Sequence, residues 1–253
     1  MGCATPPGSP VSQTPAHRAL PPTSPFAGDD GSPDGALTAA LARWSAGQVE
    51  LVEVVAALAS ARVLVPVLAH AVATDVVDGL EVDRQADTGV VALQVPDGRT
   101  ALPVFSGVAS LAAWRSDARP VPTPAGTAAV SALAEGWQVM VLDPGGPITV
   151  VVPRPAVQAL AAGRQWEPPV SGGAVRPDVS AAVARVLTGL DAVEHVDVVA
   201  GRHAEIAVVL GLRPGMSRTE LSAVLEGVNG RLAGDPLVSQ VDSIELRPVS
   251  ARA

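Results

Sequence analysis

Proline and glycine punctuate this chain so densely that no apolar segment runs far. There are 24 of each among 253 residues. The densest apolar stretch, VLVPVLAHAVA at residues 63–73, is broken by Pro66 and His70. It falls well short of the roughly 18 uninterrupted residues that a membrane-spanning helix needs. What such a chain can build is a set of short helices and short strands, that is, an α/β (α+β) protein. Eight of the prolines fall in residues 1–34, with Ser, Thr and Gly between them. A segment of that composition buries too little apolar surface to offset its ordering entropy, so a disordered tail is expected there.

Composition narrows the chemistry. All 17 basic residues are arginine; lysine and tyrosine do not occur. A Walker phosphate loop, Schiff-base or pyridoxal chemistry, and Tyr/Lys hydride-transfer sites all lack their key residue. The net charge of −8 repels a phosphate backbone, and two phenylalanines and four tryptophans are few for base stacking, so no nucleic-acid partner is expected. One cysteine rules out an intramolecular disulfide. The N-terminus has no charged start followed by an apolar run. Pro6 stands where a myristoylation motif wants Ser or Thr. A cytoplasmic protein without cofactor or membrane partner is the expectation.

Along the chain, Ser32–Pro33 reads as the cap and start of the first helix, with Leu37, Leu41 and Trp44 at helical spacing. Leu51, Val54, Val55 and Leu58 repeat the pattern. RVLVPVLAH at 62–70 reads as a strand, and Pro66 argues that it is an edge or bulged one. VVALQV and TALPVF form a hairpin around Pro96-Asp97-Gly98-Arg99. A short helix follows from about 107 to 114, and Thr123–Pro124 caps another. WQVMVLD and ITVVV make a second hairpin, and a helix from about 154 stops at Gly163. This gives a first domain at 35–168. Pro and Gly then mark a linker at 169–178, and a second domain spans 179–250.

The second domain reads α-β-β-α-β, a ferredoxin-like half with its helices on one side of a small sheet. A three-residue loop at Ala200-Gly201-Arg202 sets Val199 opposite His203 and Asp197 opposite Glu205. Val196, Val198, Ala204, Ile206, Val208 and Leu210 then share one face, and His195, Asp197, His203 and Glu205 the other. Ser217-Arg218-Thr219-Glu220 is a capping box opening the last helix.

Three groups of residues are candidates for function. Ser106 ends a strand and opens a helix, but Val104 and Val108 replace both glycines of a nucleophile elbow, so it reads as a helix N-cap. His195, Asp197, His203 and Glu205 have metal-ligand side chains on one sheet face, though alternation places charge on any solvated face. Asp75, Asp78, Glu81, Asp83 and Asp87 form an acidic stretch that lacks the spacing of a calcium loop and reads as a solvated loop or a protein contact.

The segments RVLVPVLA, DGRTALPVFSGVASLAAW, VMVLDPGGPITVVVPRPAVQAL and AAGRQWEPP together resemble the SseB family of enhanced serine sensitivity proteins, actinobacterial members above all. The resemblance spans residues 35–169, and 178–250 is similar to the family's C-terminal domain. Its DK-x-SD stretch appears as Asp83-Arg84-Gln85-Ala86-Asp87, and its F-T-S as Phe105-Ser106-Gly107. The family name records a link to serine tolerance, and the resemblance carries no established catalytic residues across to this chain. The expected function is a non-catalytic binding or regulatory protein, foremost a protein–protein interaction module. An amino-acid sensor acting through the C-terminal domain, with serine as a candidate ligand, comes second. A hydrolase using Ser106 with His70 comes third.

Overall fold

Asp34, not Ser32, starts the first helix: its carboxylate accepts the Leu37 N–H at 2.9 Å. Asp34 is the N-cap of α1 (Gly35–Ser45), two residues beyond Ser32. The computed structural model describes residues 26, 28–68, 75–77, 80–84, 89, 91–236 and 240–251, with backbone alone at 75–77 and 80–84. Most of the expected tail, residues 1–25 and 27, lies outside these. Contacts divide the chain into Met1–Asp30 and Gly31–Ala253, and the second unit holds every element below.

In chain order α1 is followed by α2 (Leu51–Ser60), β1 (Arg62–Val67), β2 (Asp75–Val77), β3 (Leu80–Arg84), β4 (Val91–Gln94) and β5 (Thr100–Val104). Then come α3 (Val108–Trp114), β6 (Arg119–Pro124), α4 (Ala125–Ala134), β7 (Val139–Leu142), β8 (Val150–Val152) and α5 (Arg154–Ala161). Strands β2-β3-β4-β5-β7-β8 form one sheet in that order. It is antiparallel except for β5 and β7, whose parallel pairing needs the long crossover through α3, β6 and α4.

At β5 and β7 the sheet is buried on both sides, which is why these strands read as unbroken apolar runs rather than alternating ones. Leu102, Val104, Met140 and Leu142 face α1, α2, α4 and α5. Ala101, Val139 and Val141 face the other way, with Leu111 and Trp114 of α3. There the Trp114 ring meets Phe105 at a centroid distance of 5.2 Å.

Strands β1 and β6 make a separate antiparallel pair, and Pro66 stands opposite Pro120. The Leu64 N–H and C=O turn away from β6 and bond Phe105 instead, at 2.8 and 2.9 Å. Leu64–Pro122 is therefore a pair without mutual hydrogen bonds. By alternation so are the Arg62–Pro124 and Pro66–Pro120 pairs. Every position on β6 whose N–H would point outward is a proline. The edge-strand expectation for Pro66 holds, and β6, unforeseen in the sequence, shares the device. Thr123 caps nothing: its hydroxyl donates to the Val121 carbonyl, and the α4 N-cap is Pro124.

The expected linker folds as a two-stranded hairpin, β9 (Val170–Ser171) with β10 (Ala174–Val175), turning through Gly172 and Gly173 at positive φ. The last layer is α6 (Pro177–Leu187), β11 (Val193–Ala200), β12 (Ile206–Leu212), α7 (Arg218–Ala233) and β13 (Ile244–Ser250). The order α-β-β-α-β is the expected one. Strand β12 is central, antiparallel to β11 and parallel to β13. Val179, Val183 and Leu187 of α6 join Val228 and Leu232 of α7 over Ile206, Val208 and Leu210. Ser217 and Glu220 form both bonds of the capping box.

The register of the β11–β12 hairpin differs from the expected one. Val199 faces Ala207, Asp197 faces Val209 and Val196 faces Leu210, a slip of four residues that leaves Gly201–Glu205 as the loop. A Cβ at Gly201 would lie 2.0 Å from the Ala204 carbonyl oxygen, so only glycine lets the loop close this tightly. The slip is even, so the apolar face survives it, while His203 and Glu205 leave the sheet.

Candidate functional site

Residues from four distant segments meet where the α1–α5 layer adjoins the α6–β13 layer. The turn between β4 and β5 holds Asp97, whose carboxylate accepts from the Arg99 backbone N–H at 3.0 Å and from the Arg99 Nε at 2.8 Å. That local ring aims the rest of the guanidinium at Asp242, just before β13, where Nη1 donates to Oδ1 at 2.7 Å. The same Oδ1 accepts the backbone N–H of Arg154 at 2.9 Å, so Asp242 satisfies one of the open amides at the start of α5, whose own N-cap, Pro153, gives no side-chain bond. The Arg154 guanidinium donates to the Val241 carbonyl at 3.1 Å.

Glu205 closes the cluster. Its Oε2 accepts the Asp242 backbone N–H at 2.6 Å, and its own N–H donates to Ser243 Oγ at 3.0 Å. Burial pushes its carboxyl up to about 7; the Asp242 backbone N–H opposes this most, the Asp242 charge adds to the rise, and Arg99 and Arg154 pull weakly against it. Asp97 moves the other way, held below the usual carboxylate range chiefly by the Arg99 side chain.

Beside Glu205 opens a cleft of about 280 Å³. Leu51 and Val52 of α2 form one wall, and Trp166, Pro168, Pro169 and Val170 another, with Glu50 and Glu205 as its acidic groups. Both oxygens of Glu50 are used: they accept the Gly172 N–H at 2.7 Å and the Ser171 hydroxyl at 3.0 Å, which ties the β9–β10 hairpin to the start of α2. Trp166 is 6% exposed, and its buried indole N–H has no acceptor. A second, larger groove of about 640 Å³ also uses Trp166, with Arg164, Gln158, Glu167, Arg176 and Asp178 along it.

Ser106 is a buried residue at 5% exposure, and the N-cap of α3 is Gly107 without a side-chain cap bond. The hydroxyl is taken instead by Asp143, which accepts from the Ser106 hydroxyl, from its N–H at 2.9 Å and from the Ser110 hydroxyl. Desolvation raises the Asp143 carboxyl, and these three donors work against that rise. The Ser106 carbonyl accepts Arg62 Nη1 at 2.9 Å. Two strand ends, β5 and β7, are locked together there by buried groups. His70, proposed as the partner of Ser106, lies outside the described residues.

The four metal candidates do not converge. His195 and Asp197 pair at 2.9 Å on the exposed face of β11, while His203 and Glu205 stand in the loop, Glu205 turned to Asp242. Among the described residues no three His, Cys, Asp or Glu side chains gather to hold a metal ion. Of the acidic stretch, Asp75 lies on β2 and Glu81 and Asp83 on β3, with Asp75 opposite Val82 and Val76 opposite Glu81. Asp78 and Asp87 lie outside the described residues. Sequence reasoning missed Arg99, Asp242 and Trp166. The Pro96–Arg99 turn signal was readable, but its partner is 143 residues away.

The fold defines a class: an α/β protein with a doubly covered mixed sheet, joined to a three-stranded αββαβ layer. Residues 37–159 match the family model of the SseB protein N-terminal domain. That match runs from within α1 through most of α5 and stops short of Trp166, the β9–β10 hairpin and the αββαβ layer. No curated protein and no solved structure matches the chain. Among the described residues no helix is long and apolar enough to cross a membrane.

Proposed function

We propose that this is a non-catalytic regulatory protein that binds a small molecule in the cleft beside Glu205, and that its αββαβ layer is the C-terminal domain of SseB proteins. The observation that carries the reading is the cleft itself. Its walls come from α2, the Trp166–Val170 segment and the β11–β12 loop, and its acid Glu205 is bonded directly to the Asp242 backbone. A ligand that moves Glu205 acts at once on the Asp242 contacts to Arg99 and Arg154, which is how occupancy is read out elsewhere in the molecule.

An interaction module would instead offer a contiguous exposed apolar patch. Among the described residues the exposed large apolar side chains are single valines on six different elements: Val108, Val121, Val130, Val151, Val199 and Val249. The ligand reading therefore takes precedence over docking of a protein partner.

Thermal unfolding of the full chain against amino acids including serine, small amines, nucleotides and divalent cations tests this. Binding at 100 times the dissociation constant stabilises by about 2.7 kcal/mol, a rise of a few degrees for a chain of this size. The expected result is a rise with at least one small molecule that Val170→Trp, which fills the cleft, abolishes. A flat panel, or a rise that survives the filled cleft, overturns the reading.

A further inference from the structure

The cleft beside Glu205 carries its own indication of what it takes. We infer that its ligand is a small organic ammonium ion without a neighbouring carboxylate, an alkylamine held with Glu205 as its counter-ion; this rests on the ligand-binding reading above. The lining is apolar on Leu51, Val52, Pro168, Pro169 and Val170, and its two ionisable groups, Glu50 and Glu205, are both acids. No arginine or histidine lines it among the described residues. An anion would meet two carboxylates and no cation. An α-amino acid would bring its own carboxylate into the same field.

An ammonium group meets the opposite situation. One oxygen of Glu205 accepts the Asp242 N–H, and no ion pair closes on the carboxylate among the described residues. Arg99 and Arg154 attract it from the Asp242 side without bonding it. Glu50 keeps acceptor capacity after its bonds to Gly172 and Ser171, because each carboxylate oxygen offers two lone pairs. The Trp166 ring supplies an aromatic wall of the kind that favours cations. The volume, about 280 Å³, sits at the small end for ligand sites and suits a short alkyl chain. The chain has no lysine to fill the cleft with an ammonium of its own.

Beside Glu205 are the acid Asp242 and the cations Arg99 and Arg154, and Glu50 lines the same cleft. Across neutral pH the Glu205 carboxyl, pushed up to about 7 by burial, changes its charge and with it the attraction. Amine binding strengthens as pH rises from 6 to 8.

The test uses four probes of one shape on the full chain at pH 8, read by calorimetry and tryptophan fluorescence: 3-methylbutylamine, L-leucine, 4-methylpentanoate and 3-methylbutanol. The amine is expected to bind at least tenfold more tightly than the other three. Glu205→Gln, which keeps an acceptor for the Asp242 N–H, should weaken it at least tenfold, and Glu50→Gln several-fold. Leucine or the acid binding as well as the amine, with Val170→Trp abolishing it, overturns this inference and leaves the ligand reading standing. Unchanged amine affinity in both glutamine variants also overturns it. If no probe binds and the wider thermal panel is flat, both readings fall.

Discussion

The carboxyl group of Glu205 couples this fold to pH near neutrality. Its ordinary value is 4.5, and burial next to Asp242 pushes it up to about 7 in the folded chain. Between those values the folded chain holds a proton that the unfolded chain has already lost. Stability therefore falls as pH rises through that window and levels off above it. Each pH unit is worth about 1.4 kcal/mol before solvent screening, so the total is on the order of 2 kcal/mol for a half-buried group. Glu205→Gln removes the titration while keeping an acceptor for the Asp242 N–H. In urea unfolding the variant should match the wild type near pH 5 and be more stable at pH 8 by that amount. Asp143, also raised, titrates in both proteins and cancels in the difference. Parallel curves for the two proteins across this range would show that Glu205 is not desolvated as its surroundings require.

At the scale of elements, what the sequence alone reveals depends on whether an element's partner is local. Helices α2 and α7, the Pro96–Arg99 turn and the apolar face of the β11–β12 hairpin all follow from spacing within one segment. The hairpin register does not, because β12 must also pair in parallel with β13, and Ser243 just before that strand holds the Glu205 N–H. Strand β6 escaped notice for the same reason: RPVPTP has no strand signature until β1 lies beside it. Its prolines then acquire a purpose. With Pro120, Pro122 and Pro124 at every outward-facing position, the exposed edge offers no N–H to a passing strand. Replacing Pro120 and Pro122 together by threonine should leave thermal unfolding within about 1 kcal/mol of wild type. It should also make the light-scattering mass rise with protein concentration more steeply than for the wild type. Equal concentration dependence in the two proteins would mean that the edge is protected by something other than its prolines.

Over the whole molecule, the Pro/Gly-rich stretch after Trp166 reads from composition as a linker between two domains. The fold uses the same residues differently. The hairpin they form is tied to Glu50, and Asp242 joins the αββαβ layer to both Arg99 and the start of α5. Because those contacts join residues 88 and more positions apart, no local pattern announces them. They have a consequence for cooperativity. Each layer has its own apolar core, so either is able to open separately once the polar contacts between them weaken. The Asp242 side chain is only 7% exposed, and removing it leaves the Arg99 guanidinium and the Arg154 N–H without their shared acceptor. That costs about 2–4 kcal/mol, a large share of a marginal stability. Asp242→Ala should therefore do more than lower the melting temperature. Hydrogen exchange followed by mass spectrometry should show β12 losing protection well before β5 and β7, whereas in the wild type the three strands exchange together. Uniform loss across all three strands in the variant would mean that the layers are held as one by their apolar contacts, and that the Asp242 cluster serves the cleft rather than the fold.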